Sequence, residues 1–354
     1  MTAEAFLVDA NTRRQIMIQR LSNGIWEEIR PILANVSDRI KTRLREADSE
    51  LRRGELSLLL RDIQDAFDEG KSAFDQTLRQ RVIEFAQDEA EFQKQTFEQV
   101  TDETVEPVPE ETITGEVMTV AAGLLITGSL VDSVTFNQAI DRQFSQNVQD
   151  VKNTVSTGFI AKAPTDTLTR QVDQKVGNRM TNQSRAVVAT MVNHAANVSR
   201  GLFATANRAL VQNERYVAVL DSRTTLRCAG LDGEVFAENE GPQPPLHYNC
   251  RSIRVPIIKP EFVSERFRGN RTATGLAGQR QTVSPRTTFT SWLKQQPVEF
   301  RDEFFGKFAN GAEKRRLFDY GGLSPNDFID PSGAQMSLTE LRQKYPTAWQ
   351  QANL

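Results

Sequence analysis

Soft metal-ligating side chains are concentrated in one short segment of the chain. Cys228, His247 and Cys250 lie close together in the sequence, and they are both cysteines and one of the two histidines of the 354 residues. Thiolate and imidazole are ligands that zinc prefers, and a closed structural site needs four of them. The candidates for a fourth ligand are Asp221, Asp232 and the more distant His194. One hypothesis for this segment is therefore a zinc site.

Two metal-free interpretations of the same residues are also open. In the first, Cys228 and Cys250 are small buried side chains that close a β-knot, and His247 is hydrogen-bonded to backbone. In the second, the cysteines form a disulfide. Because the sequence begins with no signal-peptide pattern, we expect folding in a reducing compartment, with oxidation only after the protein leaves the cell. We favour the first interpretation.

Short strands and turns are predicted to position these residues. A β-branched run from Val217 to Leu220 ends at Asp221, and a turn at Leu231–Gly233 leads into residues 234–236, a pattern typical of a short hairpin. The cluster Pro242–Pro245 favours an extended approach to His247. Residues 252–257 then read as another short strand.

This segment resembles the phage Mu F-like head morphogenesis, or minor capsid, family. The family pattern is D-x-x-[TC]-x-x-C, a glycine turn, and then P-P-[LH]-H-x-N-C-R-[CS]. The matching residues are Asp221, Thr225, Cys228, Gly233, Pro244, Pro245, His247, Asn249, Cys250, Arg251 and Ser252. Family members that look like zinc proteins carry cysteine at both variable positions. Here those positions are Thr225 and Ser252, so the comparison weakens the zinc hypothesis.

Two further pieces extend the resemblance from about Val151 to the C-terminus. Thr190 and Asn197 match a helix signature of the family, T-E-x-x-x-a-x-N, but Met191 stands in place of its glutamate. A methionine side chain cannot act as an acid, a base or a ligand for a hard cation. Residues 291–341 resemble the tail that follows the core in many of these proteins.

The first hundred residues show apolar side chains at spacings of three and four. This pattern predicts long amphipathic helices, which either pack on each other as a helical hairpin with Gly54 near its turn or dock on a partner. We favour self-packing, because a hairpin buries both stripes. The stripe consists of Ile25, Ile29, Ile32, Val36, Ile40, Leu44, Leu60, Ile63, Phe67, Phe74, Leu78, Val82 and Phe85.

These patterns together predict a mainly α protein with a small β subdomain, an α+β fold. The longest apolar stretch, Val117–Val134, is too polar to span a membrane and reads as a buried helix. We divide the chain into an amphipathic helical region (1–100), an acidic proline-containing linker (101–115), a Mu F-like core (116–260), a basic flexible tether (261–290) and a C-terminal helical extension (291–354).

The predicted tether suggests one way of contacting DNA. Its arginines would neutralise phosphates in a salt-sensitive and sequence-blind contact; otherwise the segment is a solvated linker or orders against a neighbouring subunit. The net charge of −3 does not itself require a nucleic-acid partner. The candidate DNA contacts are Arg266, Arg268, Arg271 and Arg280.

The resemblance implies a structural minor head protein of a tailed bacteriophage. Such a protein would be made in the bacterial host cytoplasm, bind the portal protein, the major capsid protein or both, and stay at the portal vertex or head interior, with packaged double-stranded DNA as a further contact. We expect no cofactor other than the zinc already considered, no membrane contact and no small-molecule substrate. The alternative is an enzyme, a metal-dependent nuclease or toxin-like transferase, that uses Asp221, Cys228, His247 and Cys250. We expect no catalytic residues, because two histidines and no recognisable triad fit an enzyme poorly.

Overall fold

A computed structural model shows a mainly helical protein with three small antiparallel sheets among its described residues, as predicted. The described residues are 3–47, 53–119, 122–127, 130–134, 136–238, 240–264, 271–283, 287–331 and 333–354. None of the helices in these ranges has an apolar stretch suited to crossing a bilayer.

Two long helices form the predicted hairpin. Helix α1 (Ala3–Glu46) and helix α2 (Arg53–Glu98) run antiparallel, since ion pairs join Arg14 to Glu89 near one end and Arg39 to Glu69 towards the other. The apolar stripe faces inward: every predicted member except Ile32 and Leu60 is buried. At about 1.5 Å per residue, each helix is on the order of 65 Å long.

The stretch 117–134 departs from the predicted buried helix. Helix α3 (Glu110–Thr119) covers only its beginning, and strands β1 (Ala122–Thr127) and β2 (Leu130–Val134) then pair antiparallel. The helix prediction is wrong beyond Thr119. The periodicity of a short apolar run does not show whether the run forms a strand or a helix. In the sequence, Gly128 and Ser129 divide this run, and a pair of such residues between two apolar runs is typical of a β-hairpin turn.

The next helices build the platform on which the β region lies. They are α4 (Phe136–Ile160), α5 (Thr165–Val172) and α6 (Thr181–Ala206). A π-helical stretch, Asp173–Met180, joins α5 to α6 without a break in the helical backbone. Helix α6 ends at Ala206, and Val211 already begins a strand.

A three-stranded antiparallel sheet follows, in the order β4-β3-β5. Its strands are β3 (Val211–Val217), β4 (Val235–Phe236) and β5 (Ile253–Ile258), and helix α7 (Leu226–Leu231) lies between β3 and β4 in the chain. β4 pairs with β3 at Glu214–Phe236 and Arg215–Val235. The second arm of the predicted hairpin is present, but the first arm was placed too late in the chain, since the predicted run 217–220 overlaps β3 only at Val217 and a short helix lies in the connection.

The C-terminal part has an aromatic core of its own. Strands β6 (Arg271–Thr274) and β7 (Arg280–Val283) form a two-stranded ribbon inside the predicted flexible tether, and Ala273 bridges back to Leu220. Five short α-helices follow among the described residues of this region, and buried aromatic rings contact one another edge to face, as Trp292 and Phe300 do. These helices are α8 (Phe289–Lys294), α9 (Val298–Phe305), α10 (Gly311–Asp319), α11 (Leu338–Lys344) and α12 (Pro346–Gln351).

The hairpin and the platform share their hydrophobic cores. One continuous cluster runs from α1 and α2 through α3 and α4 to α6. A second cluster joins Leu7 and Val8 of α1 to Phe97, to Phe203 of α6 and to Val255 of β5. The β region is therefore held between the start of the hairpin and the end of α6.

Candidate functional site

The polar residues of α6 hold the backbone of the loop that carries Cys250. Asn197 Nδ2 donates to the carbonyl of Ser252 at 3.3 Å, and Asn197 Oδ1 accepts from the backbone N–H of Arg254 at 3.1 Å. Asn193, one turn earlier, donates to the same Ser252 carbonyl at 3.2 Å. Thr190 Oγ1 accepts from the backbone N–H of Asn249 at 3.0 Å. The helix signature is thus a set of loop-docking side chains.

Met191 lies fully buried in the helical core beside this row of polar side chains. The position that carries glutamate in the family pattern is therefore a packing position in this chain. His194, the distant candidate ligand, is also buried in α6 and is not part of the cysteine cluster.

The loop itself turns sharply between His247 and Cys250. The Cys250 N–H donates to the carbonyl of His247 at 3.1 Å, and Asn249 adopts a left-handed conformation with φ of 58°. Asparagine tolerates this region better than most residues, which accounts for its place in the turn. The peptide bond between Pro244 and Pro245 is cis, and both prolines are buried.

The two aspartates considered as metal ligands are engaged elsewhere. The Asp221 carboxylate accepts a hydrogen bond from each terminal guanidinium nitrogen of Arg251, one of them at 2.7 Å. Burial opposes ionisation of Asp221, but Arg251 outweighs it and lowers the pKa of the carboxyl. Asp232 accepts the backbone N–H groups of Ala218 at 2.7 Å and Phe289 at 2.6 Å. The Asp221 carboxylate therefore links the segment after β3 to the loop that carries Cys250. The Asp232 carboxylate links the same segment to α8.

Gly233 closes the turn that follows α7. Its φ is +92°, in the region that favours glycine, and its N–H donates to the carbonyl of Tyr216 at 2.9 Å. The glycine of the family pattern thus allows a turn whose N–H group is hydrogen-bonded to β3.

The structure brings the predicted soft ligands together. The ligand atoms of Cys228, His247 and Cys250 lie within 4.8 Å of one another. Cys228 Sγ is 3.3 Å from His247 Nε2 and 3.8 Å from Cys250 Sγ. Both cysteines are buried free thiols.

Hydroxyl groups surround this cluster. Thr225 Oγ1 lies 3.1 Å from His247 Nε2, and the Tyr216 hydroxyl donates to Cys228 Sγ at 3.3 Å. The Ser252 side chain is also hydrogen-bonded to Cys228. His247 Nδ1 lies 2.9 Å from the carbonyl of Tyr248. A carbonyl only accepts, so Nδ1 carries a proton and a neutral ring would accept at Nε2.

The cluster perturbs the protonation of its members. The hydrogen bond with Cys250, helped by His247, lowers the pKa of Cys228 well below its ordinary value. Burial raises the pKa of Cys250 and of Tyr216. Burial disfavours the charged form of His247, but Cys228 outweighs it and raises the pKa of the imidazole. The surroundings therefore favour the thiolate form at Cys228, beside the imidazole, over the thiolate form at Cys250.

Within the part of the chain that the structure describes, the donor set falls one ligand short of a closed zinc site. Around zinc with Zn–S bonds of about 2.3 Å, two sulfurs lie about 3.8 Å apart, a spacing that the two thiols match. The next nearest partners, however, are the neutral hydroxyls of Thr225, Tyr216 and Ser252. Hydroxyl groups of this kind do not complete structural zinc sites, and a hydrogen-bonded knot accounts for the contacts without a metal.

A cleft of about 610 Å³ opens beside the cluster, between α1, α6 and the loop. Cys250 and His247 line it from the loop, Gln15 from α1 and Arg185 from α6. Small molecules of solvent size can therefore reach the loop side of the cluster.

Several residues that matter here were not identified from the sequence. Tyr216 sits in a β-rich run like any core aromatic, and the pairing of Glu214 with Arg254 across β3 and β5, at 3.1 Å, joins distant parts of the chain. Asn193 was identifiable in principle, because it lies one helical turn before Asn197 on the same face.

The candidate DNA contacts are only partly covered by the structure. Arg266 and Arg268 lie outside the described residues. Arg271 begins β6 and Arg280 begins β7, and the register places them at opposite ends of the ribbon, with Arg280 exposed.

Fold and site define a mainly helical protein with a small β-knot fixed on a polar helix face. Residues 147–254, from within α4 to within β5, match the family described as Phage Mu protein F like protein. The resemblance seen in the sequence is thereby confirmed for this segment, and its extension over the C-terminal helices stays a prediction. Neither a curated protein nor a solved structure matches the chain.

Proposed function

We propose that this chain is a structural minor head protein of a tailed bacteriophage. It binds the portal protein, the inner capsid surface or both during head assembly, and it stays in the virion. The family match over residues 147–254 supports a role in phage head morphogenesis. The particular partners are the finer part of the proposal.

The observation that carries the proposal is that the motif residues bond to other parts of the same chain. Asn197 and Thr190 satisfy loop backbone groups, and Arg251 is paired with Asp221. Side chains engaged in this way fix a shape and leave few groups to act on a substrate. We therefore interpret the matched segment as a scaffold.

The hairpin supplies the surface for assembly. Its outward faces carry both signs of charge in exposed pairs such as Arg43 with Glu46 and Arg81 with Glu84. Mixed charge over a length on the order of 65 Å suits contact with a large polar partner surface such as a portal or capsid.

The enzyme alternative receives less support from the geometry. A metal-dependent nuclease would need Asp221 near His247, yet this carboxylate is paired with Arg251 and is outside the described cluster of metal-ligating groups. Contact with packaged DNA stays a prediction. Salt-dependent DNA binding that weakens when Arg268, Arg271 and Arg280 are all replaced by glutamine would support it.

Quantitative mass spectrometry of purified, DNA-filled particles tests the proposal. We expect a low copy number that follows the portal protein rather than the major capsid protein. The matched control is a preparation of particles assembled without the portal, in which a portal-bound protein is lost and a capsid-bound one is kept. Absence of the chain from complete particles would contradict the proposal and favour an assembly-only factor or an enzyme.

A further inference from the structure

The two thiols of the knot are close enough to react with each other. Their sulfurs are 3.8 Å apart, and a disulfide bond is about 2.05 Å long, so a side-chain rotation that moves the sulfurs by roughly 1.8 Å would join them. We infer that Cys228 and Cys250 form an oxidisable dithiol that closes to a disulfide when the protein meets a two-electron oxidant. This inference rests on the described contacts and does not depend on a role in the phage head.

The surroundings favour this pairing over metal binding. Thr225 and Ser252 present hydroxyls to the cluster where further thiols would be needed to complete a metal site. Each cysteine therefore has one sulfur partner, the other cysteine.

Access through the cleft, rather than the thiol pKa, determines which thiol reacts first, because Cys228, the thiol with the lowered pKa, does not line the cleft. Cys250 lines the cleft of about 610 Å³, whereas Cys228 is not among its lining residues. Both side chains are almost completely buried, so only a small oxidant reaches Cys250. Hydrogen peroxide is of suitable size.

The chemistry is balanced with hydrogen peroxide as the oxidant. Cys250 sulfur attacks one peroxide oxygen, the O–O bond breaks, and hydroxide leaves with the thiol proton as water, which gives a sulfenic acid. Cys228 sulfur then attacks the sulfenic sulfur, the S–S bond forms and the S–O bond breaks. The proton held between Cys228 Sγ and His247 Nε2, atoms that lie 3.3 Å apart, passes to the departing hydroxide, which leaves as a second water.

The product would cross-link α7 to the loop before β5. The two cysteines are 22 positions apart, and the bond would enclose the β4 turn and both buried prolines. A chain that folds in a reducing cytoplasm would gain this cross-link once outside the cell.

Intact-mass analysis of the full chain after mild peroxide treatment tests the inference. We expect the loss of two hydrogen atoms, a Cys228–Cys250 cross-linked peptide, and reversal by a reducing agent. Two single variants test the order of events with a sulfenic-acid-trapping dione. C228S should accumulate the adduct on Cys250, and C250S should label at least about tenfold more slowly, because its remaining thiol is outside the cleft.

Three results would overturn the inference. The first is persistence of two free thiols in the wild-type chain under conditions that label C228S. The second is direct oxidation of either cysteine to sulfinic acid with no cross-linked peptide. The third is equal labelling of C228S and C250S. Circular dichroism of both variants checks that each is folded, and the wild-type peptide map decides the matter if either is not.

Discussion

At the scale of single residues, the ion pair between Asp221 and Arg251 allows a specific prediction about the stability of the fold. Only 9% of the Asp221 side chain and 14% of the Arg251 side chain is exposed. Removing one partner of a buried pair leaves the other uncompensated, so we expect Asp221→Asn to lower the free energy of unfolding by about 2–3 kcal/mol in urea titrations. Asp38→Asn is the matched control: Asp38 pairs with Lys41 but is 72% exposed, and its loss should cost less than about 0.5 kcal/mol.

The same pair predicts how this difference depends on pH. The pKa of Asp221 is lowered in the folded state, whereas an unfolded aspartate titrates near about 3.9. A lowered folded pKa stabilises the protein above the unfolded value, and the contribution is lost as pH falls through the folded one. The gap between wild type and Asp221→Asn should therefore be constant near neutrality and shrink below about pH 4. A gap that grows in acid would contradict the assignment.

A second residue-scale prediction concerns metal. We expect the purified chain to hold less than about 0.1 zinc per molecule by elemental analysis, because its donor set is incomplete. Thr225→Cys with Ser252→Cys adds thiols next to Cys228 and His247, and this double variant should bind about one zinc.

The control for that experiment adds the same number of thiols at two other buried positions, Thr224 and Ser264. Their cysteine double variant should gain no zinc. Stoichiometric zinc in the wild-type chain would show that three protein ligands are enough and would contradict the prediction.

The spacing of residues in the sequence predicted part of this site, but it could not predict the long-range contacts. Cys228, His247 and Cys250 could be grouped from sequence because they lie within one short stretch of the chain, and the structure brings their ligand atoms together. The true partners of Asp221 and Asp232 could not be derived from sequence, since Asp232 meets Phe289, 57 positions further on. Contacts of that range depend on how whole elements pack.

Among the elements, the packing of α1 against α2 depends on a close contact between Gly70 and Val36. A Cβ added at Gly70 of α2 would overlap Val36 Cγ2 of α1, and the β-branched valine has little freedom to move in a helix. We therefore expect Gly70→Ala to destabilise the protein by about 1–3 kcal/mol, measured by chemical denaturation.

Two further variants make that prediction specific. A Cβ added at Gly24 of α1 would have no neighbouring side chain within 4 Å, so Gly24→Ala should stabilise the helix by about 0.5–1 kcal/mol. Adding Val36→Ala to Gly70→Ala should recover part of the loss. Additive losses in this double variant would mean that the two helices do not meet at these residues.

Elements with a strong period were predictable, and those without one were not. The stripe from Ile25 to Leu44 predicts a helix because its spacing persists over several turns, and α1 covers all of it. The apolar run over 117–134 has no such period, and there the predicted helix fails beyond Thr119.

For the molecule as a whole, the hairpin and the matched segment are joined by a buried ionic contact. Arg200 of α6 donates to Glu89 of α2 at 2.7 Å, both side chains are fully buried, and Arg14 of α1 reaches the same carboxylate at 2.8 Å. Burial lowers the pKa of Arg200, and its charge depends on Glu89 for compensation. A division between residues 1–100 and the following core would cut through this contact.

The final prediction is that Glu89→Ala destabilises the hairpin and the core together. Loss of the carboxylate leaves Arg200 buried without its charge partner, so we expect a loss of about 3 kcal/mol. Hydrogen exchange resolved by peptide should show matching losses of protection in α1, in α6 and in β5. Glu69→Ala, which removes the exposed partner of Arg39, is the control and should leave exchange nearly unchanged. Faster exchange confined to α1 and α2 would instead show that the hairpin opens as an independent domain.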